Sequence, residues 1–362
     1  MLNHRLVATG LLTPLLTATL SACTPISPLP NASTAVLQLG SNSSVQAGLH
    51  LNVSLGEGRR TGVMLDTGST GVVIAKRFLG KAYTPTGETF ENFTYSSSGN
   101  SYSGEWVATR IKLYTSSAAG AGSVETIPMR VRMVTKSCKT DEPCVTDENA
   151  INVSMMGIGF DRVDPHGTTV DPTLNPFLNL AAMQVGGAMK RGYILTPKQV
   201  TLGITDDATS GFTFLKLQRL PADQGKDWQA PSACVSVPTA NVAPQCGSLL
   251  IDTGLDYAIL QVPDGIDPPQ HQDPDPKSQR KLLDDGQQVV VTLPDLNNRR
   301  LYSFTVGDAA TGAPTKVAWG HSTAAHHGQA FMNTSLYTLS QLDYAYDADQ
   351  GRVGFRFHDP VQ

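Results

Sequence analysis

One tripeptide occurs twice in this chain in matching surroundings. Gly62-Val63-Met64-Leu65 runs into Asp66-Thr67-Gly68-Ser69-Thr70-Gly71 and out through Val72-Val73-Ile74. Much later, Ser248-Leu249-Leu250-Ile251 runs into Asp252-Thr253-Gly254-Leu255-Asp256 and out through Tyr257-Ala258-Ile259-Leu260. Both copies read as apolar strand, Asp-Thr-Gly, apolar strand, about half the body apart, which is the pattern of a duplicated two-lobed protein. A single Asp-Thr-Gly is more often a hairpin, because Asp and Gly are ordinary turn residues. Two copies with matched flanks restrict the fold far more.

The body opens with Leu49-His50-Leu51-Asn52-Val53-Ser54-Leu55, whose strict alternation predicts a half-buried strand. Composition agrees with a turn-rich β protein: of 362 residues only 16 % are charged, while Gly (33) and Pro (23) are plentiful. Net charge is −4 with no long Lys/Arg run, which leaves no electrostatic footprint for nucleic acid. No uninterrupted apolar run reaches transmembrane length.

The N-terminus reads as an address. Residues 1–22 carry Arg5 and then an apolar stretch ending Leu20-Ser21-Ala22-Cys23, which resembles a bacterial lipoprotein signal. That resemblance implies lipidation at Cys23, and Thr24, not being aspartate, implies sorting to the outer membrane, on its periplasmic or surface face. From 23 to 48 the chain is rich in Ser, Thr, Pro and Asn and is expected to be a disordered tether. With Cys23 lipidated, the other four cysteines form two local pairs in an oxidising compartment, and the disulfides Cys138–Cys144 and Cys234–Cys246 are expected. Their spacings do not match those of a four-cysteine zinc site.

At the tripeptides the chain resembles the pepsin-like aspartic proteases, and the resemblance spans residues 49–359. Phe93-Thr94-Tyr95-Ser96-Ser97-Ser98-Gly99-Asn100-Ser101-Tyr102-Ser103-Gly104-Glu105-Trp106 resembles the family's flap hairpin, with Tyr95 at the place of the flap tyrosine. Met155-Met156-Gly157-Ile158-Gly159-Phe160 resembles the apolar-glycine strand behind the active site. Leu342-Asp343-Tyr344-Ala345-Tyr346-Asp347 and Gly351-Arg352-Val353-Gly354-Phe355 resemble the closing hairpin. The resemblance implies an all-β, two-lobed pepsin-like fold with a few short helices, lobes at 49–195 and 196–362, and a cleft between them. It implies an aspartic endopeptidase that acts on polypeptide without cofactor or metal, as a monomer. Asp66 and Asp252 would be the catalytic pair. Thr67 and Thr253 would lock the loops together, Gly68 and Gly254 would allow close backbone approach, and Ser69 would donate to Asp66.

The pattern is broken in places. Leu255 follows the second tripeptide and cannot donate, and Asp256 adds a nearby charge, so ionisation of the pair is expected to be disfavoured and the activity optimum less acidic than in the most acid-adapted relatives. No tryptophan follows the first motif to partner the flap tyrosine, and the family's late Leu-Gly pair is replaced near Phe331-Met332-Asn333-Thr334. The alternative function is therefore an inactive envelope lipoprotein whose cleft binds peptide or glycan. Between Thr24 and Gly58 there is no Lys or Arg, so no basic prosegment is expected.

Other features read as structural. His321, His326 and His327 lie on a Gly/Ser/Ala-rich stretch without a regularly spaced Cys or carboxylate, and are expected on an exposed loop. The Asp- and Pro-rich stretch 263–276 is expected to be a poorly ordered surface loop, and 175–185 a short helix ending at Gly186-Gly187.

Overall fold

The computed structural model of the chain describes residues 33–95, 99–139, 142–163, 170–221, 227–323 and 326–358. The signal segment, Cys23, the start of the tether, the hairpin tip Ser96–Ser98 and Ala324-Ala325 lie outside the described residues. Among the described residues the architecture is nearly all β, with single-turn 3-10 helices between strands. There are three sheets, of ten, nine and six strands.

The ten-stranded sheet holds the first tripeptide and the nine-stranded sheet the second. In each, the two strands flanking the tripeptide do not pair with each other. A third strand from far along the chain is inserted between them: Ser154–Ile158 lies parallel to Thr61–Asp66 and antiparallel to Thr70–Ala75. In the second lobe, Ala330–Asn333 lies parallel to Val242–Leu250 and antiparallel to Ala258–Val262. The apolar runs make this possible, because strands covered on both faces must be apolar throughout. Thr70–Ala75 is buried at every position, and Val63 and Leu65 are fully buried.

The six-stranded sheet overturns the expected disorder of the tether over 35–38 and takes strands from both expected lobes. It contains Ala35–Gln38, Gly192–Leu195, Gln199–Leu202, Thr213–Lys216, Leu342–Asp347 and Arg352–Phe357, strands drawn from the beginning, middle and end of the chain. Ala35–Gln38 lies inside the expected disordered tether of 23–48. It pairs residue by residue with Gln199–Leu202, and Ala35, Leu37 and Leu39 are buried. The average composition of 23–48 hid this short alternation, which needs only an edge supplied from elsewhere. The expected lobe boundary at 195/196 falls in the turn between two paired strands of this shared sheet.

The expected helix over 175–185 is instead part of a series of separate 3-10 turns, Pro172–Leu174, Pro176–Leu178 and Ala181–Met183. Pro176 offers no N–H for helix continuation, and the Asn175 side chain competes for backbone groups. Its Oδ1 accepts the Phe177 N–H, and its Nδ2 donates to the Ile158 carbonyl at 2.7 Å. The 263–276 stretch also carries structure. Gln270–Gln272 pairs with Lys281–Leu283, and buried Asp273 accepts from Lys316 at 2.8 Å, a bond that holds its carboxyl down at about 2.

Both disulfides are formed. Cys138–Cys144 joins Met129–Lys139 to Glu142–Val145, and Cys234–Cys246 links directly opposed residues of Ser232–Val237 and Val242–Leu250.

Candidate active site

The inserted strands bring each tripeptide to the surface of its own lobe facing the other. The two threonines then join the lobes reciprocally. Thr67 N–H donates to Thr253 Oγ1 at 3.1 Å, and Thr253 N–H donates to Thr67 Oγ1 at 2.9 Å. Each hydroxyl passes its own proton to the opposite strand: Thr67 Oγ1 donates to the Ile251 carbonyl, and Thr253 Oγ1 to the Leu65 carbonyl at 2.9 Å. Thr67 and Thr253 are buried at 5 % and 1 % exposure, so all four bonds form away from water, where an unmade one is expensive. Two polar residues buried in an interface with nothing left unpaired make a rigid joint.

That joint sets the carboxylates against each other. A Cβ on Gly68 would lie 2.5 Å from the Asp252 carboxylate oxygens, and one on Gly254 would lie 2.5 Å from Asp66 Oδ1. Only glycine permits this approach at either place, since real Cβ atoms do not come so near. Backbone amides hold one oxygen of each, with Gly68 N–H on Asp66 Oδ1 at 2.7 Å and Gly254 N–H on Asp252 Oδ1 at 2.9 Å. The other oxygens receive side-chain donors. Ser69 Oγ donates to Asp66 Oδ2 at 2.5 Å, and Asn333 Nδ2 donates to Asp252 Oδ2 at 2.7 Å.

Asp66 is 4 % exposed, and its carboxyl is pushed up to about 7 by burial first and by the facing Asp252 charge second. The Ser69 and Gly68 donors pull the other way. Two carboxylates so placed share a proton and titrate as a pair. They are therefore able to accept a proton at one oxygen and deliver one from another in the same step.

Tyr95 ends the Tyr83–Tyr95 strand, which pairs with Asn100–Thr109 in the expected hairpin. Its ring packs edge-on against Phe93 and Tyr102, with centroids 5.2 and 6.1 Å away. Its hydroxyl is buried, lies in reach of Ser69 and the Asp66 charge, and is pushed above the ordinary tyrosine range by burial and then by that charge. Asn100–Thr109 pairs along its whole length with Met129–Lys139, so the hairpin is one edge of a longer ribbon.

Every expected site residue among the described ones is thus brought to one place: Asp66, Thr67, Gly68, Ser69, Tyr95, Asp252, Thr253 and Gly254. Leu255 lacks a donor and is buried, and Asn333 supplies the bond to Asp252 from the inserted strand instead; Asp256 is exposed. In the sequence Asn333 stands only within the segment that replaces the family's Leu-Gly pair. The available signal was a polar residue closing the apolar run Ala330-Phe331-Met332 beside the second motif. Away from the pair, His321 sits 3.6 Å from Asp264 and 3.5 Å from Asp267, and His326 stacks on Phe331. Among the described residues, no three His, Cys, Asp or Glu side chains gather as a metal site.

No protein-family model matches the chain, and no curated protein matches it in sequence. Among solved structures it is similar to an aspartic proteinase from Irpex lacteus, with a TM-score of 0.53 over 90 % of this chain and 97 % of that one. The fold is the two-lobed pepsin-like one. At 14 % identity the likeness is one of architecture, and the chemistry has to be argued from this chain's own residues.

Proposed function

We propose that the protein is an aspartic endopeptidase in which Asp66 and Asp252 activate water against a peptide bond lying across the cleft. The ionised carboxylate of the pair takes a proton from the water as its oxygen bonds to the carbonyl carbon, and the protonated carboxyl gives its proton to the carbonyl oxygen. Collapse of the resulting diol, with a proton passed to the amide nitrogen, breaks the C–N bond. The Tyr95 hairpin lies over the extended substrate. The observation that carries this reading is the facing pair of carboxylates on loops that the two threonines fix, each held by two donors, with Asp66 raised to about 7. No step calls for a cofactor.

The test is cleavage of an unfolded protein mixture from about pH 3 to 8 by the protein, beside Asp66→Asn and Asp252→Asn. Wild type is expected to cut best at a less acidic pH than the most acid-adapted proteases. Each substitution is expected to lower the rate by at least ~100-fold, the scale of a lost general acid or base. If folded wild type cuts nothing at any pH, the endopeptidase reading fails and the cleft is left as a binding site for peptide or glycan.

The same proposal places the protein in a bacterial outer membrane, anchored through lipid on Cys23. Its support is the Leu20-Ser21-Ala22-Cys23 run together with two disulfides, bonds that persist in oxidising compartments. Metabolic labelling with a fatty acid should mark wild type and miss Cys23→Ser, and equal labelling of the two would refute the anchor.

A further inference from the structure

The lobes are built alike around their tripeptides, yet one hydrogen bond has changed its origin. Met155 pairs with Met64, two residues before Asp66, and with Val73, seven after it. Asn333 pairs with Leu250 and Ile259, which stand at the same distances from Asp252. Asn333 therefore holds in the second lobe the place that Met155 holds in the first. Leu255 likewise holds the place of Ser69, three residues after the aspartate. In the first lobe the polar side chain is on the loop and the apolar one on the inserted strand, whereas in the second lobe the two have exchanged.

The exchange is complete in its details. Asn333 is 4 % exposed, and its Oδ1 accepts the Ser335 N–H at 3.1 Å. That bond fixes which way the amide faces, leaving Nδ2 to donate to Asp252 Oδ2 at 2.7 Å. Ser335 itself has φ 64°, a backbone region that L residues seldom adopt, so the chain after Asn333 is held in an unusual path that keeps the amide in place. We propose that Asn333 is the positioning residue of Asp252, supplying from the inserted strand the hydrogen bond that Ser69 supplies to Asp66 from the loop. The inference rests on the two-carboxylate reading of the site. It adds a chemical difference between the halves: a hydroxyl can accept as well as donate, whereas an amide nitrogen only donates. Asn333 thus ends the hydrogen-bond chain at Asp252, while the Ser69 hydroxyl keeps an acceptor for a further bond. Among the described residues, Asp66 faces Asp252 across the interface, Tyr257 feels its charge from the same loop, and Asp256, four residues on, is exposed.

The test is the titration of Asp252 in protein carrying 13C at its aspartate carboxyls, the signal being assigned by its loss in Asp252→Asn. The pH profile of cleavage is measured alongside. Asn333→Asp keeps the side-chain shape and the acceptor for Ser335 but turns the donor into an acceptor. Asn333→Leu removes the donor without adding charge. Both should raise the Asp252 titration by about one unit or more, the scale of a hydrogen bond to a charged group, and carry the acid limb of the cleavage profile upward with it. Adding Leu255→Ser to Asn333→Leu should bring the titration back toward wild type by restoring a donor from the loop. Should Asn333→Leu fail to fold, Asn333→Asp decides alone. An Asp252 titration unmoved by the substitutions, or one that Leu255→Ser does not bring back, overturns the role of Asn333. The carboxyl signal is read without substrate, so absent cleavage would overturn the endopeptidase reading and leave this result intact.

Discussion

The first lobe holds its aspartate with Ser69 from the loop, and the second holds its aspartate with Asn333 from the strand inserted beside that loop. Everything between is symmetric: the two glycine amides on the carboxylate Oδ1 atoms, the two threonine hydroxyls on the opposite carbonyls, and the inserted strands. The difference shows that a duplicated site constrains where a donor must point and leaves free which element carries it. A buried carboxylate oxygen needs a partner, and any side chain that reaches it from either neighbouring element satisfies the same requirement. The symmetric parts have no such freedom, because each threonine must serve the other lobe.

The two halves also differ in burial, which gives the larger test of the comparison. Asp66 is buried and its carboxyl lies above its unfolded value, so its contribution to stability is fully present below about pH 4 and is lost as pH rises through about 7. The loss amounts to at most roughly 4 kcal/mol by neutral pH. Asp66→Asn should flatten this slope and be more stable than wild type near pH 8. Asp252→Asn should narrow the slope, since it removes the charge that helps to raise Asp66. Urea midpoints between about pH 3.5 and 8 read this directly, and a slope that survives in Asp66→Asn would show that the pH dependence comes from elsewhere.

A smaller effect tests the symmetric part. Thr67→Val and Thr253→Val each delete one donor to a carbonyl and one acceptor for an N–H across the lobe interface. Each should cost about 2 kcal/mol of stability, and the two costs should agree within about 1 kcal/mol. Equal losses in equilibrium unfolding sharpen the picture of a reciprocal joint. A harmless substitution on one side would break it.

Much of the site was legible in the sequence because its residues act within a few positions of one another. Asp66, Gly68 and Ser69 form their bonds inside a single loop, and the apolar runs on either side announce strands covered on both faces. Asn333 was not legible as a donor, because its partner lies 81 residues earlier and only the parallel pairing of two distant strands brings them together. The shared sheet escaped for a related reason. Ala35, Leu37 and Leu39 alternate too briefly to stand out from a Ser- and Pro-rich stretch, and their partner strand is chosen by the finished fold. The helix expected over 175–185 breaks into separate 3-10 turns because Pro176 has no N–H to continue it and Asn175 caps the turn with its side chain.

The six-stranded sheet imposes an order on how the chain can be completed. Its edge strand Ala35–Gln38 pairs with Gln199–Leu202, which pairs with Gly192–Leu195, which in turn pairs with Leu342–Asp347. Contacts of such long sequence separation form late and slowly. Until the last strands arrive, the frame that takes strands from both halves of the chain cannot close. Losing Leu342–Asp347 and Arg352–Phe357 would take two of the six strands from this frame and leave both Asp-Thr-Gly loops in place.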